Sequence, residues 1–113
     1  MIYTAGVDTG RITLEKMVAL LSENIARQFH LFPQKGILQE GSDADIVVWD
    51  PDKAGLISAA TQLQNVDYTP YDGFVTKGAA EAVYLRGEKV AENGAVLKEK
   101  QGRFVYRKIP VTE

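Results

Sequence analysis

With 113 residues, 45% hydrophobic and 25% charged, the chain has room for one small domain and not for two. A net charge of −2 and the lack of cysteine argue against a basic nucleic-acid surface, disulfides, thiolate zinc sites and a cysteine nucleophile. No apolar run approaches the roughly 20 residues that span a bilayer, and residues 1–6 lack the basic start and apolar middle of a signal peptide. A cytoplasmic protein with no membrane and no nucleic-acid partner is expected.

The first strong pattern is helical. Leu14, Met17, Val18, Leu21, Ile25 and Phe29 are spaced by three and four, which sets them on one stripe of a 3.6-residue helix. Thr13 is a suitable N-cap, Glu15 suits the positive end of the helix dipole, and Arg27 with His30 suits the other end. Pro33 is the expected stop. Burying four or five of the stripe residues is worth about 1.5–3 kcal/mol each, so the stripe requires a partner surface.

Beyond the helix the period changes. Lys35, Gly36, Ile37 and Leu38 are expected to form a short strand, and Glu40, Gly41, Ser42 and Asp43 a turn. Residues 44–49 (Ala-Asp-Ile-Val-Val-Trp) are β-rich and are expected to close at Asp50, Pro51 and Asp52. The consecutive Ile46, Val47 and Val48 point to a strand covered on both faces. Residues 52–77 are the least regular part, with a short helix or an extended arm at 57–64 and a loop at 65–74 around Pro70 and Gly73. Residues 81–86 and 89–91 flank Gly87 and predict a tight hairpin, and Asn93 with Gly94 predicts a second turn before Ala95, Val96 and Leu97. The expected fold class is α+β: one N-terminal helix followed by a β-meander of four or five short strands.

Candidate chemistry is sparse. His30, the one histidine, falls at a helix end beside Leu31 and Phe32, a place for packing or capping more than for catalysis. Asp43 and Asp45 alternate along an expected strand, about 6.5–7 Å apart on one face. That spacing is compatible with a general acid and base, but the favoured reading is that Asp43 organises the turn and Asp45 fixes the strand entry. Ser22, Ser42 and Ser58 have no histidine in a triad arrangement. Tyr68, Tyr71 and Phe74 gather around Pro70 as a contact surface or groove. The tail cations Lys98, Lys100, Arg103, Arg107 and Lys108 are diluted by Glu99 and Glu113 and suit a solvated or subunit-contacting tail.

Several segments together resemble one family. Gly36 and Ile37, followed by residues 40–51 (Glu-Gly-Ser-Asp-Ala-Asp-Ile-Val-Val-Trp-Asp-Pro), resemble the Gly-Ser-Asp-Ala-Asp signature near the C-terminus of amidohydrolase-superfamily enzymes. Residues 10–14 (Gly-Arg-Ile-Thr-Leu), 65–74, 83–88 and 102–107 are similar to the dihydropyrimidinase and D-hydantoinase branch. Ile25 departs from that branch, where an Asn-Pro-Ala turn is common.

The resemblance implies a C-terminal fragment: residues 1–34 as the last helix region of a (β/α)₈ barrel, and residues 35–113 as the C-terminal part of a composite β-sandwich with its tail. It also implies metal-dependent hydrolysis of the C–N bond of hydantoin or dihydropyrimidine rings, with two divalent ions, usually zinc, supplying a hydroxide. The family's metal ligands lie upstream of the matched region. No catalytic, cofactor-binding or metal residue is therefore expected in this chain, which alone should be inactive, with a role in structure or in homo-oligomer formation through exposed strands and the helix face. Two other readings stay open: a stand-alone β interaction module, and a small enzyme working through Asp43 and Asp45.

Overall fold

A computed structural model describes residues 1–109; Glu113 and the end of the tail lie outside the described residues. The helix forms where its apolar period places it, over residues 14–28. It is α-helical over Leu14–Val18, widens into π turns over Ala19–Glu23, and is α-helical again over Asn24–Gln28. Thr13 caps it, its hydroxyl accepting from Lys16 N at 3.1 Å, and Arg27 pairs with Glu23 one turn away at 3.0 Å. The helix ends five residues before Pro33. His30 has already turned to φ 59°, and the Leu31 and Phe32 amides fold back onto the Ala26 carbonyl. A separate π-helical turn, Tyr3–Asp8, precedes this helix.

Four strands form one antiparallel meander in the order β1-β2-β3-β4: β1 Ile46–Leu56, β2 Val75–Leu85, β3 Glu88–Glu92 and β4 Ala95–Val96. Ile46 faces Tyr84 and Leu56 faces Val75, with irregularities after Val48 and Asp50; Val83 faces Ala91, and Ala91 faces Val96. Arg86 with Gly87, and Asn93 with Gly94, take positive φ at both central positions of their turns. These are the mirror-image turns whose twist matches that of paired strands.

Two expectations are corrected. Lys35, Gly36, Ile37 and Leu38 form no strand but a turn and coil. Gly36 sits at φ 89° against the helix, where a Cβ would come within 2.6 Å of the Ala26 Cβ. That close approach fixes the chain in a bend. And β1 does not close at Asp50, Pro51 and Asp52 but runs through them. Pro51 falls in the irregular stretch between Asp50 and Ala54 of an edge strand, where its missing N–H removes no ladder bond. Within the unassigned stretch, Ala59–Thr61 makes a single 3₁₀ turn capped by Ser58, and the rest of 57–74 is loop.

The N-terminal turn packs on the sheet. Tyr3 and Trp49 rings lie 5.3 Å apart, over Gly78, whose φ of 89° and lack of a side chain leave them space. The Thr4 hydroxyl bonds the Lys77 backbone, and Lys77 Nζ reaches Asp8 at 3.4 Å. Burial elsewhere is thin. Among the described residues only Met17, Ala26 and Ala82 are buried hydrophobics. Of the helix stripe only Met17 is covered; Leu14, Val18, Leu21, Ile25 and Phe29 are exposed. Val47 and Val48 are exposed as well, so the strand expected to be covered on both faces is open within this chain. No helix among the described residues is long and apolar enough to cross a membrane.

Candidate functional site

The densest set of charged side chains joins the post-helix bend to the β2–β3 hairpin. Lys35 reaches out of the bend and its ammonium contacts both carboxylates of the suggestive pair, Asp43 at 2.9 Å and Asp45 more closely. Asp43 also accepts from Gln34 Nε2 at 3.2 Å, and its own N–H donates to the Gln34 carbonyl at 2.9 Å. Asp45 accepts from the Arg86 backbone N–H at 2.9 Å, while Gly87 N–H donates to the Ala44 carbonyl. The two aspartates lie just before β1 rather than alternating along it, so a shared ammonium unites them and not a strand face. The cluster is a clasp that fixes the hairpin turn to the segment entering the sheet.

The electrostatics agree with that role. Burial opposes the charge on Lys35, but hydrogen bonds and charge from Asp45 and Asp43 outweigh it and raise its pKa. Hydrogen bonds from Lys35 and then Gln34 lower the pKa of Asp43. A carboxylate held ionised against an ammonium is a poor general acid at neutral pH. The same engagement makes the pair unfit for a metal ion, which would have to displace Lys35. Among the described residues no three His, Asp or Glu side chains gather at metal-binding distance.

Beside the clasp the tail folds back to form a cleft of about 410 Å³, between Gln34, Lys35, Asp43 and Arg86 on one wall and residues 103–106 with Lys108 on the other. The Arg86 guanidinium donates to the Gln101 carbonyl, and the Lys108 N–H donates to the His30 carbonyl at 2.9 Å. The Phe104 and Tyr106 rings meet edge to face at 4.9 Å.

The remaining candidates are dispersed. His30 serves the tail through its backbone and lies near no carboxylate pair. Ser42 Oγ donates to the Pro33 carbonyl, Ser58 Oγ accepts from Ala60 N, and Ser22 is exposed on the helix. Tyr68, Tyr71 and Phe74 are exposed at the loop closed by Ile57 and Phe74. Lys98 pairs with Glu88 at 3.2 Å, while Arg103 and Lys108 turn to the cleft. Sequence reasoning missed Lys35, Gln34 and Arg86. Asp45 and Arg86 are 41 positions apart, and no local pattern marks such a contact.

Comparison with known proteins places residues 1–102 on the model of the amidohydrolase family. The D-phenylhydantoinase of Escherichia coli is 43% identical over 109 residues, which cover 96% of this chain and 24% of that protein. Among solved structures, the D-hydantoinase (dihydropyrimidinase) of a Thermus species superposes with a TM-score of 0.84 at 41% identity, over 88% of this chain and 22% of that one. The L-hydantoinase (dihydropyrimidinase) of Arthrobacter aurescens gives 0.84 and 41%, over 87% and 22%. The chain thus spans about a quarter of the length of the relatives it matches.

Proposed function

The chain belongs to the amidohydrolase family, and from that premise we propose that it is the C-terminal part of a metal-dependent cyclic amidohydrolase that opens hydantoin or dihydropyrimidine rings at a C–N bond. The observation that carries this reading is the likeness to hydantoinases along almost the whole chain. Residues 1–34 would be the last helix region of the barrel, and 35–113 one half of a sandwich with its tail. The exposed helix stripe and the exposed Val47 and Val48 support this division, because each is an apolar surface made to be covered.

Two divalent ions, usually zinc, belong to this chemistry. The residues present do not fit them, since the chain has one histidine and its Asp43 and Asp45 carboxylates are held by Lys35. The chain alone is then inactive, and its contribution is structural. The same apolar surfaces and the open edge of β1 favour association of copies in a cytoplasmic homo-oligomer. D- and L-hydantoinases resemble the chain equally well, which supports placing the choice of enantiomer in other parts of the whole enzyme.

The test is complementation of ring opening. The chain supplied with zinc is expected to open neither hydantoin nor dihydropyrimidine. Refolded with an E. coli D-phenylhydantoinase from which the matching segment has been removed, it should restore activity. Turnover by the chain alone that vanishes in Asp43→Asn would replace this reading with the small-enzyme one. Tight association without restored turnover would favour the interaction module.

A further inference from the structure

The cleft between the clasp and the tail has a composition that the structural role of the chain does not use. Its walls carry four cations, Lys35, Arg86, Arg103 and Lys108, against one carboxylate, Asp43. Lys35 is spent on Asp43 and Asp45. None of the other three is in an ion pair among the described residues. Three cations lining one open cleft, with Asp43 as the one carboxylate on its wall, give it a positive character that favours an anion. Arg86 is tethered by its bond to the Gln101 carbonyl, which leaves the rest of its planar fork available and fixed in direction. The same cavity has aromatic walls: Phe104 and Tyr106 pack edge to face, yet 81% and 82% of their surfaces remain exposed. A planar ring entering the cleft would cover part of that surface and stack on one of them.

We propose that this cleft binds a small ligand joining a planar ring to a carboxylate or phosphate group, the anion meeting Arg86, Arg103 and Lys108 and the ring lying against Phe104 or Tyr106. The volume of about 410 Å³ suits a ligand of that size and is within the range of small-molecule sites. The proposal stands on the cleft alone and is independent of the catalytic reading above.

Ligand-observed NMR on the 113-residue chain tests it with three probes: phenyl phosphate, benzoate and inorganic phosphate. Phenyl phosphate or benzoate should bind saturably, with a dissociation constant on the order of 1 mM, and inorganic phosphate more weakly because it brings no ring. The preference between phenyl phosphate and benzoate shows which anionic group the three cations accept better. The variant R103Q/K108Q, altered at exposed side chains, should keep its far-ultraviolet circular dichroism and weaken binding about tenfold or more. Added sodium chloride should weaken binding to the unaltered chain. Y106A should reduce the advantage of the ring-bearing probes over inorganic phosphate. No saturable binding of either ring-bearing probe, or binding that R103Q/K108Q and salt leave unchanged, overturns the proposal.

Discussion

Gly36→Ala should be among the most damaging single methyl additions in this chain. Gly36 has φ 89°, and an added Cβ would lie 2.6 Å from the Ala26 Cβ, 3.2 Å from the Glu23 Cα and 3.4 Å from the Ser22 carbonyl. The left-handed conformation costs an L-residue about 1–2 kcal/mol. Forcing a methyl into backbone and Cβ contacts adds about 1–3 kcal/mol, since none of the three neighbouring atoms is a flexible side-chain end. The lower entropy of the unfolded alanine chain returns about 0.4–1 kcal/mol. A net loss of about 2–4 kcal/mol is a large share of the ~5–15 kcal/mol that holds a domain of this kind.

In urea unfolding, with a slope of about 1–1.5 kcal/mol per molar, the midpoint should fall by about 2 M. Gly41→Ala is the matched control, because Gly41 also has φ 89° but nothing within 4 Å of the added Cβ. It should lose only the conformational part, about 1 kcal/mol. Ala26→Gly placed in the Gly36→Ala background should recover part of the difference, a coupling that two unconnected sites would not show. Equal losses for Gly36→Ala and Gly41→Ala would refute the packing of the bend on the helix, and with it the placement of Lys35.

Other perturbations probe the remaining contacts. Lys35→Met should lower stability at neutral pH, leaving Asp43 and Asp45 without their shared cation, and should flatten the pH dependence of urea unfolding at both ends. In the unaltered chain Asp43 lies below its ordinary 3.8, so its contribution is complete above that value and is lost as pH falls through the lowered pKa. Lys35 lies above 10.5, so its contribution holds below that value and is lost as pH rises through the raised pKa. Thr13→Ala should cost about 1 kcal/mol and some helical circular dichroism, because Lys16 N loses its acceptor. Tyr3→Ala should shift the emission of Trp49, the one tryptophan, to longer wavelength while the sheet signal persists.

Much of the fold was legible because its determinants are local. The three-and-four spacing of Leu14 through Phe29 placed the helix, and Gly87 and Asn93-Gly94 placed the two turns of the meander. The failures lie where a distant contact decides. Ile37 and Leu38 look like strand residues, but Gly36 packs on Ala26 and Lys35 is drawn to Asp43 and Asp45. Pro51 reads as a strand end in any local window, and only the edge position of β1 and its irregular pairing there admit it. The start of β2 at Val75 was hidden in the unassigned stretch because Thr76, Lys77 and Gly78 carry little hydrophobic alternation; the N-terminal turn and β1 supply the partners that order them. The aspartate pair was visible in the sequence, but its meaning was not, because Lys35 and Arg86 reach it through tertiary contacts.

The central claim is that these residues are one part of a larger cyclic amidohydrolase. The most direct test is to read the genomic frame for about a kilobase upstream of the Met1 codon, enough for a barrel of roughly 250 residues. An open frame encoding a His-x-His pair, a lysine and further histidine and aspartate ligands is the predicted result, whether continuous with this chain or split from it. A region with no such frame would contradict the claim and leave a β module whose function lies in binding.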